Sequence, residues 1–146
     1  MSDIFISYAR STAKQAQQVA EAVRSAGYSV WWDEDLPTHR AYSDVIEEQL
    51  QSAKAVLVIW SAEAVKSEWV QSEADTARID HKLVQLTVDG SRLPRPFDRI
   101  QCADLTGWTG DANAPGWRKV VASIAELAGG ATATPAPASD APLPLT

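Results

Sequence analysis

The residues with the clearest chemical potential lie in the segment SEWVQSEADTA at 67–77, where Trp69 and Glu73 stand four residues apart. Residues at this spacing share one face of a helix, and here that face borders an apolar stripe that includes Val70 and Ala74. A carboxylate at the edge of a core is partly desolvated and held in place, which suits the stabilisation of a developing positive charge. Because most helical glutamates are solvated surface charges, the spacing by itself leaves both roles open for Glu73.

Further aromatic and acidic residues follow the second and third apolar segments of the chain. Aromatic ring faces and carboxylates both attract positive charge, so a pocket built from them suits a cationic ligand. These residues are Trp31, Trp32, Asp33, Glu34, Asp35, Tyr42 and Trp60.

Several other chemistries lack their residues in this sequence. There is no G-x-G-x-x-G after the first strand-like segment, no P-loop and no G-x-S-x-G elbow, so we expect no bound cofactor and no acyl transfer. His39 and His81 fall in different segments without a partner at ligand spacing, and we expect no metal site. Cys102 lies inside a strand-like run, where a packed thiol is far commoner than a nucleophile.

Composition and charge narrow the class of protein. The 146 residues are 45% hydrophobic and 22% charged, which is typical of one globular domain, and no apolar run is long enough to cross a bilayer. A net charge of −6 without a basic run disfavours nucleic acid. The start of the chain lacks the pattern of a secretory signal, and a single cysteine suits a reducing compartment, so a cytoplasmic location is expected.

The elements that must position these residues alternate between strand and helix. Apolar runs typical of strands buried on both faces alternate with amphipathic helical patterns, which predicts an α/β fold with an open, parallel five-stranded sheet and helices on both faces. Gly27 should end the first helix, Ser43 should cap the second, and Pro115 should lie in the first turn of the last. The predicted strands cover 3–9, 28–33, 55–61, 82–89 and 100–105, and the helices 12–26, 43–53, 67–80 and 115–128.

In such a fold, ligands bind beyond the carboxyl ends of the strands. We therefore expect any small-molecule site along the segments 7–10, 33–43, 61–69 and 89–97. The folded domain is expected to cover 1–128. Residues 129–146 are rich in proline, alanine and threonine and predict a disordered linker or tail, consistent with a further domain in a longer parent chain.

Three motifs in their order resemble a Toll/interleukin receptor (TIR) domain of the bacterial, NAD-cleaving type: DIFISYAR, YSVWWDEDLP leading into VIEEQL, and VLVIWSAEAVKSEWVQSE. The resemblance covers about residues 1–128 and implies a flavodoxin-like fold, in agreement with the independent expectation above. It implies two broad functions: association between TIR domains in signalling, and cleavage of NAD+ at the nicotinamide glycosidic bond. NAD+ would be the substrate, and no further cofactor is implied.

The resemblance also assigns residues. The W-x-x-x-E pattern of NAD-cleaving members falls on Trp69 and Glu73 and implies that Glu73 is catalytic. The segment 33–43 would be the mobile loop that borders the nicotinamide and mediates self-association. The residues implied to bind substrate are Trp69, Ser7, Tyr8, Arg10, Trp32, Asp33 and Tyr42, and those of the interaction loop are Asp35, Leu36, Pro37, His39 and Arg40.

One departure concerns this loop. Many relatives have glycine after the loop proline, whereas this chain has Thr38 after Pro37. For Tyr8 the role of a packed aromatic is equally reasonable, and the alternative for Arg10 is a solvated or salt-bridged surface residue. Trp31 and Trp32 must point to opposite faces of their strand, and the sequence does not decide which one reaches the site.

A single carboxylate is enough for cleavage of NAD+. Glycosidases commonly use two carboxylates because an alkoxide leaves poorly, but the nicotinamide of NAD+ is a cationic pyridinium that departs as a neutral base. The enzyme need only orient the ring and stabilise an oxocarbenium-like ribose. Capture of the oxocarbenium-like ribose by water would give ADP-ribose, and capture by another atom of the same molecule would give a cyclic product.

Two alternative functions are open for the domain: a non-catalytic TIR interaction module, and a sensor that binds a nucleotide without cleaving it.

Overall fold

The computed structural model describes residues 3–32 and 42–129. Within these residues the predicted parallel sheet is confirmed, with five strands in the order β2-β1-β3-β4-β5. Neighbouring strands pair in parallel throughout. The strands are β1 (Ile4–Ser7), β2 (Val30–Trp31), β3 (Ala55–Trp60), β4 (Leu83–Thr87) and β5 (Cys102–Asp104).

The helices follow the expected alternation, with one addition. The four predicted helices are present, and a short helix lies between β3 and the helix that carries Glu73. The short helix over 62–66 was not expected, because the sequence predicts only a connection between the strand ending at 61 and the helix beginning at 67. The helices are α1 (Ala13–Ser25), α2 (Tyr42–Ser52), α3 (Ala62–Lys66), α4 (Glu68–Ile79) and α5 (Pro115–Ala128).

Two serine caps divide the chain after β3 into α3 and α4. Ser61 Oγ accepts a hydrogen bond from the Ala64 amide at 3.2 Å, and Ser67 Oγ accepts one from the Val70 amide at 3.2 Å. Each bond satisfies a backbone donor that a helix start leaves unpaired. Glu73 consequently lies in the second turn of a newly started helix.

The other predicted helix ends are partly confirmed. Pro115 lies in the first turn of α5, and Gly27 follows α1 with a φ of 102°, a conformation that glycine adopts without strain. The expected cap at Ser43 is wrong, because α2 begins at Tyr42 and Ser43 falls inside its first turn. Helix α5 ends at Ala128 as expected, and the predicted tail lies outside the described residues from 130 onward.

Helices cover both faces of the sheet, as predicted. Helices α1 and α5 pack on the face that carries Ile4 and Ile6, while α2, α3 and α4 pack on the face that carries Phe5. Because side chains alternate along a strand, the next residue after Ile6, Ser7, points to the face of α4. The two faces have separate hydrophobic cores.

A buried lysine fixes the end of α2. Lys82 is 8% exposed, and its Nζ donates to the carbonyl oxygens of Leu50 at 2.8 Å, Gln51 at 3.2 Å and Ala53 at 2.9 Å. The last carbonyls of a helix have no partner within it and attract positive charge. The ammonium before β4 therefore anchors α2 against the sheet.

Candidate functional site

The site lies where the chain leaves β1 and β3 in opposite directions. After β1 it passes to α1 on one face of the sheet, and after β3 it passes to α3 and α4 on the other. With the strand order 2-1-3-4-5, this divergence opens a crevice at the carboxyl ends of β1 and β3. The side chains of Ser7 and Glu73 meet at this position.

Ser7 and Glu73 form a buried hydrogen-bonded pair. The Ser7 hydroxyl donates to Glu73 Oε1 at 2.5 Å, within the range typical of a hydroxyl bound to a carboxylate. Ser7 is 2% exposed and Glu73 is 7% exposed. Burial of either polar group alone would be costly, so each depends on the other and on its further contacts for stability.

The helix register brings Glu73 to this place. Val70, Ala74 and Ala77 of α4 are buried in the core beneath the helix, and Glu73 lies at the edge of that stripe. The sequence expectation of a core-boundary glutamate is therefore confirmed. The structure places it deeper than a boundary position requires, with its carboxylate directed to the end of β1.

A small pocket surrounds the pair and is open to the surface. Its volume is about 30 Å³, enough for a water-sized group. Among the residues that line it, Trp69 is 48% exposed and forms part of the rim. The lining residues are Phe5, Ile6, Ser7, Tyr8, Trp31, Ile46, Trp69 and Glu73.

Four of the residues expected at the site are thus brought together: Ser7, Tyr8, Trp69 and Glu73. Trp32 is not among them. It is 4% exposed and belongs to the core beneath α1 and α5, where its ring lies 5.7 Å from that of Tyr8.

Trp31 occupies the place expected for Trp32. In the β1–β2 pairing Trp31 is aligned with Phe5, and the two rings stack with centroids 5.2 Å apart. The face of Phe5 is also the face of Ser7, so register decides which tryptophan faces the pocket. Phe5, Ile6 and Ile46 are further lining residues that sequence reasoning missed, and strand alternation was the available signal for Phe5.

Arg10 is exposed in a short 3-10 turn over Arg10–Thr12 and is not one of the described residues that line the pocket. The amide of the neighbouring Ser11 donates to Glu63 Oε1 at 3.0 Å. The hydrogen bonds from Ser11, with a smaller contribution from the charge of Arg10, hold the pKa of Glu63 below its usual value. Arg10 is therefore an exposed charge, in agreement with the surface role considered for it above.

Asp89, which sequence reasoning did not single out, fixes the neighbouring loop. Its Oδ2 accepts from the Ala62 amide at 2.9 Å and its Oδ1 from the Ser91 amide at 3.0 Å. Burial alone would raise the pKa of Asp89, but hydrogen bonds from the Ser91 side chain, from these two amides and from the Thr87 side chain outweigh it and lower the pKa. The carboxylate thus ties the loop after β4 to the start of α3.

The loop expected to border the site lies outside the described residues. It contains the predicted substrate-binding residue Asp33 and the predicted interaction residues Asp35, Leu36, Pro37, His39 and Arg40. Tyr42, also predicted at the substrate, is the first residue of α2.

Residues 3–32 and 42–129 contain no cluster of three or more histidine, cysteine, aspartate or glutamate side chains placed to hold a metal. None of the helices in this part of the chain is both long and apolar enough to span a bilayer.

Cys102 is partly buried, and burial, with a contribution from Asp104, raises its pKa to about 11.

The fold is that of a known class of domain. A family model described as the TIR domain matches residues 4–121. The chain therefore belongs to the TIR domain family. None of the curated proteins compared with it gives a significant match.

Solved structures agree with this assignment. The TIR domain of the Toll-related receptor TRR-2 from Hydra magnipapillata matches with a TM-score of 0.72 and 15% identity, over 85% of this chain and 98% of that one. A TIR-STING receptor from C. gigas, solved with 2′,3′-cGAMP, matches with a TM-score of 0.69 and 23% identity, over 85% of this chain and 39% of the receptor. The TIR domains of the activated Roq1 resistosome match with a TM-score of 0.55 and 17% identity, over 87% of this chain and 85% of that one. At these identities the matches establish the fold.

Proposed function

We propose that this TIR domain cleaves NAD+ at the bond between nicotinamide and ribose, with Glu73 as the catalytic residue. Nicotinamide would be released together with ADP-ribose or a cyclic ADP-ribose product. The observation that carries the proposal is the buried Glu73 carboxylate, bound by Ser7 at 2.5 Å in the switch-point crevice of the sheet. Burying a carboxylate is costly, and the core of α4 is otherwise built from Val70, Ala74 and Ala77, so the acidic group points to a chemical role.

The chemistry requires one fixed negative charge. As the glycosidic bond breaks, positive charge develops on the ribose while the pyridinium becomes neutral nicotinamide. A carboxylate already held in a largely buried position stabilises that developing charge without having to reorganise. The departing ring needs no proton, so a second carboxylate is unnecessary.

Trp69 would bind the nicotinamide ring. It stands one helical turn before Glu73 at the rim of the pocket, and the residue is 48% exposed. A cation over an aromatic face gains about 0.5–2 kcal/mol. This attraction weakens as the pyridinium loses its charge, so Trp69 should contribute mainly to binding.

The small pocket bears on how the site is completed. A volume of about 30 Å³ is too small for a nicotinamide riboside, so NAD+ must extend outward past Trp69. Groups beyond the described residues, from the segment 33–41 or from another TIR domain, would then cover it. This supports activity that rises with self-association. The structure of the activated Roq1 resistosome, whose TIR domains share this fold, contains more than one TIR domain.

The alternative is a non-catalytic TIR module that associates with other TIR domains. In that case Glu73 and Ser7 would be a structural pair. The two candidates differ in nicotinamide release, which only the enzyme produces.

Chromatographic measurement of nicotinamide released from NAD+ by the purified domain, over a range of protein concentrations, tests the proposal. Wild type should release nicotinamide with a specific rate that rises with concentration. Glu73→Ala should abolish release, whereas Glu68→Ala, a change at an exposed position of the same helix, should not. If wild type releases no nicotinamide even when clustered on a scaffold, the proposed enzymatic activity is wrong. If Glu73→Ala cleaves NAD+ as fast as wild type, the proposed role of Glu73 is wrong.

A further inference from the structure

Ser7 stands out as a polar residue in a fully buried strand. The strand reads Ile4-Phe5-Ile6-Ser7, all four residues are buried, and Ser7 is aligned with Val58 of β3. An alanine or valine would satisfy such a position without an unpaired polar group. The hydroxyl at this position instead donates to Glu73 Oε1.

The Ser7 hydroxyl is better placed to act on Glu73 than on a substrate. It is 2% exposed and committed to the carboxylate at 2.5 Å, so little of its surface remains for a ligand. Strand pairing on β3 fixes the Ser7 backbone, while Glu73 reaches the pair from α4 through a longer side chain. The rigid partner therefore orients the flexible one.

We propose, on the basis of the function proposed above, that Ser7 is a positioning residue that holds Glu73 ionised and oriented toward the ribose. A hydroxyl that donates to a carboxylate stabilises its charged form, which is the form that can stabilise an oxocarbenium-like ribose. The hydrogen bond also restricts rotation of the carboxylate group. This role differs from the substrate contact that the resemblance to TIR domains implied for Ser7.

The test compares kinetics of NAD+ cleavage for wild type, Ser7→Ala and Ser7→Thr as a function of pH. Ser7→Ala should lower kcat about 10- to 100-fold with KM within about threefold, and move the acid limb of the kcat profile up by about 1 to 2 pH units. Ser7→Thr keeps the hydroxyl and suits a strand, so it should restore most of kcat and the original acid limb.

Ser67→Ala is the matched control. It removes a serine whose hydroxyl caps α4, and so weakens the same helix without touching the Ser7–Glu73 bond. It should lower the melting temperature while leaving the acid limb in place. If Ser7→Ala behaves like Ser67→Ala, or if it raises KM with an unchanged pH profile, Ser7 is a structural or substrate-binding residue and the inference is wrong.

A second measurement separates this inference from the proposed function. Carbon-detected NMR follows the signal of the Glu73 side-chain carboxyl carbon as a function of pH, without any substrate. The signal is assigned by its loss in Glu73→Gln. Its titration should move to higher pH in Ser7→Ala. If wild type releases no nicotinamide but this shift is present, only the enzymatic proposal fails; if the titration is unchanged, the inference about Ser7 fails whatever the activity.

Discussion

Replacing Lys82 with methionine tests how α2, which supplies Ile46 to the pocket, is held in place. Methionine keeps most of the length and apolar contact of the lysine stem but removes three hydrogen bonds of 2.8, 3.2 and 2.9 Å to the end of α2. A hydrogen bond from a charged donor contributes about 1.5–3 kcal/mol to the free energy of unfolding. Because the three bonds share one ammonium, adding three such values would overstate the loss. Part of the loss is offset because an ammonium no longer has to be desolvated. We expect a loss of about 2–4 kcal/mol, or a fall in Tm of about 8–15 °C for a domain of this size.

Thermal unfolding followed by circular dichroism measures this loss, and Lys54→Met is the matched control. Lys54 is 60% exposed, and its Nζ lies 3.7 Å from Asp3, a surface pair that contributes little. Its Tm should stay within about 2 °C of wild type. If Lys82→Met also melts within about 2 °C of wild type, the ammonium does not anchor α2 and the reasoning fails.

Three further predictions concern residues at and away from the pocket. Trp69→Ala should raise KM for NAD+ about 2- to 30-fold, whereas Ile79→Ala, at the other large exposed hydrophobic residue of α4, should leave it unchanged. Trp31→Phe should lower kcat/KM at least threefold, on the order of the 1 kcal/mol lost from a pocket wall, while Trp32→Phe on the opposite face keeps it within about twofold. With a pKa of about 11, Cys102 should be alkylated by iodoacetamide at pH 8 about 100-fold more slowly in the native protein than in urea.

Each of these three predictions has a result that would contradict it. A higher KM in Ile79→Ala than in Trp69→Ala would move the ring-binding surface along α4. Greater loss of kcat/KM in Trp32→Phe than in Trp31→Phe would mean that the face opposite Glu73 contacts substrate. Equal alkylation of native and unfolded chains would show that Cys102 is far more accessible than its burial implies.

The sequence predicted the sheet and the edge where the site lies because burial leaves a direct mark on residue type. Strand β3 is apolar throughout and fully buried, as its sequence indicates. The stripe of α4 likewise predicted where Glu73 would stand. Both features depend on local periodicity, which the sequence carries in full.

What the sequence could not supply depends on contacts between distant segments. Alternation put Trp31 and Trp32 on opposite faces, but only the pairing of Trp31 with Phe5 decides which faces the pocket. The bond from Ser7 to Glu73 spans 66 positions, and the Lys82 bonds to the end of α2 span about 30, so no local pattern reveals either. Each requires the register of the sheet and the packing of helices upon it.

The same is true of the buried amide in β4. Gln85 interrupts the apolar pattern, and its Oε1 accepts from Trp60 Nε1 at 3.0 Å while its Nε2 contacts the carbonyl oxygens of Phe97, Ile100 and Gln101 at 3.3 Å each. The residue type signals that something polar is satisfied there, but the partners come from a connection that periodicity cannot place. Helix α3 was missed because five residues are too short to show a helical repeat.

The most direct test of the central claim is a proton NMR time course of NAD+ with concentrated wild type, Glu73→Gln and Glu68→Gln. Glutamine preserves the size of each side chain and removes only its charge. If the Glu73 charge stabilises the transition state, the signals of free nicotinamide should grow at rates within about twofold for wild type and Glu68→Gln, and at least about 100-fold more slowly for Glu73→Gln. Nicotinamide release by Glu73→Gln at the wild-type rate would contradict this role of the charge.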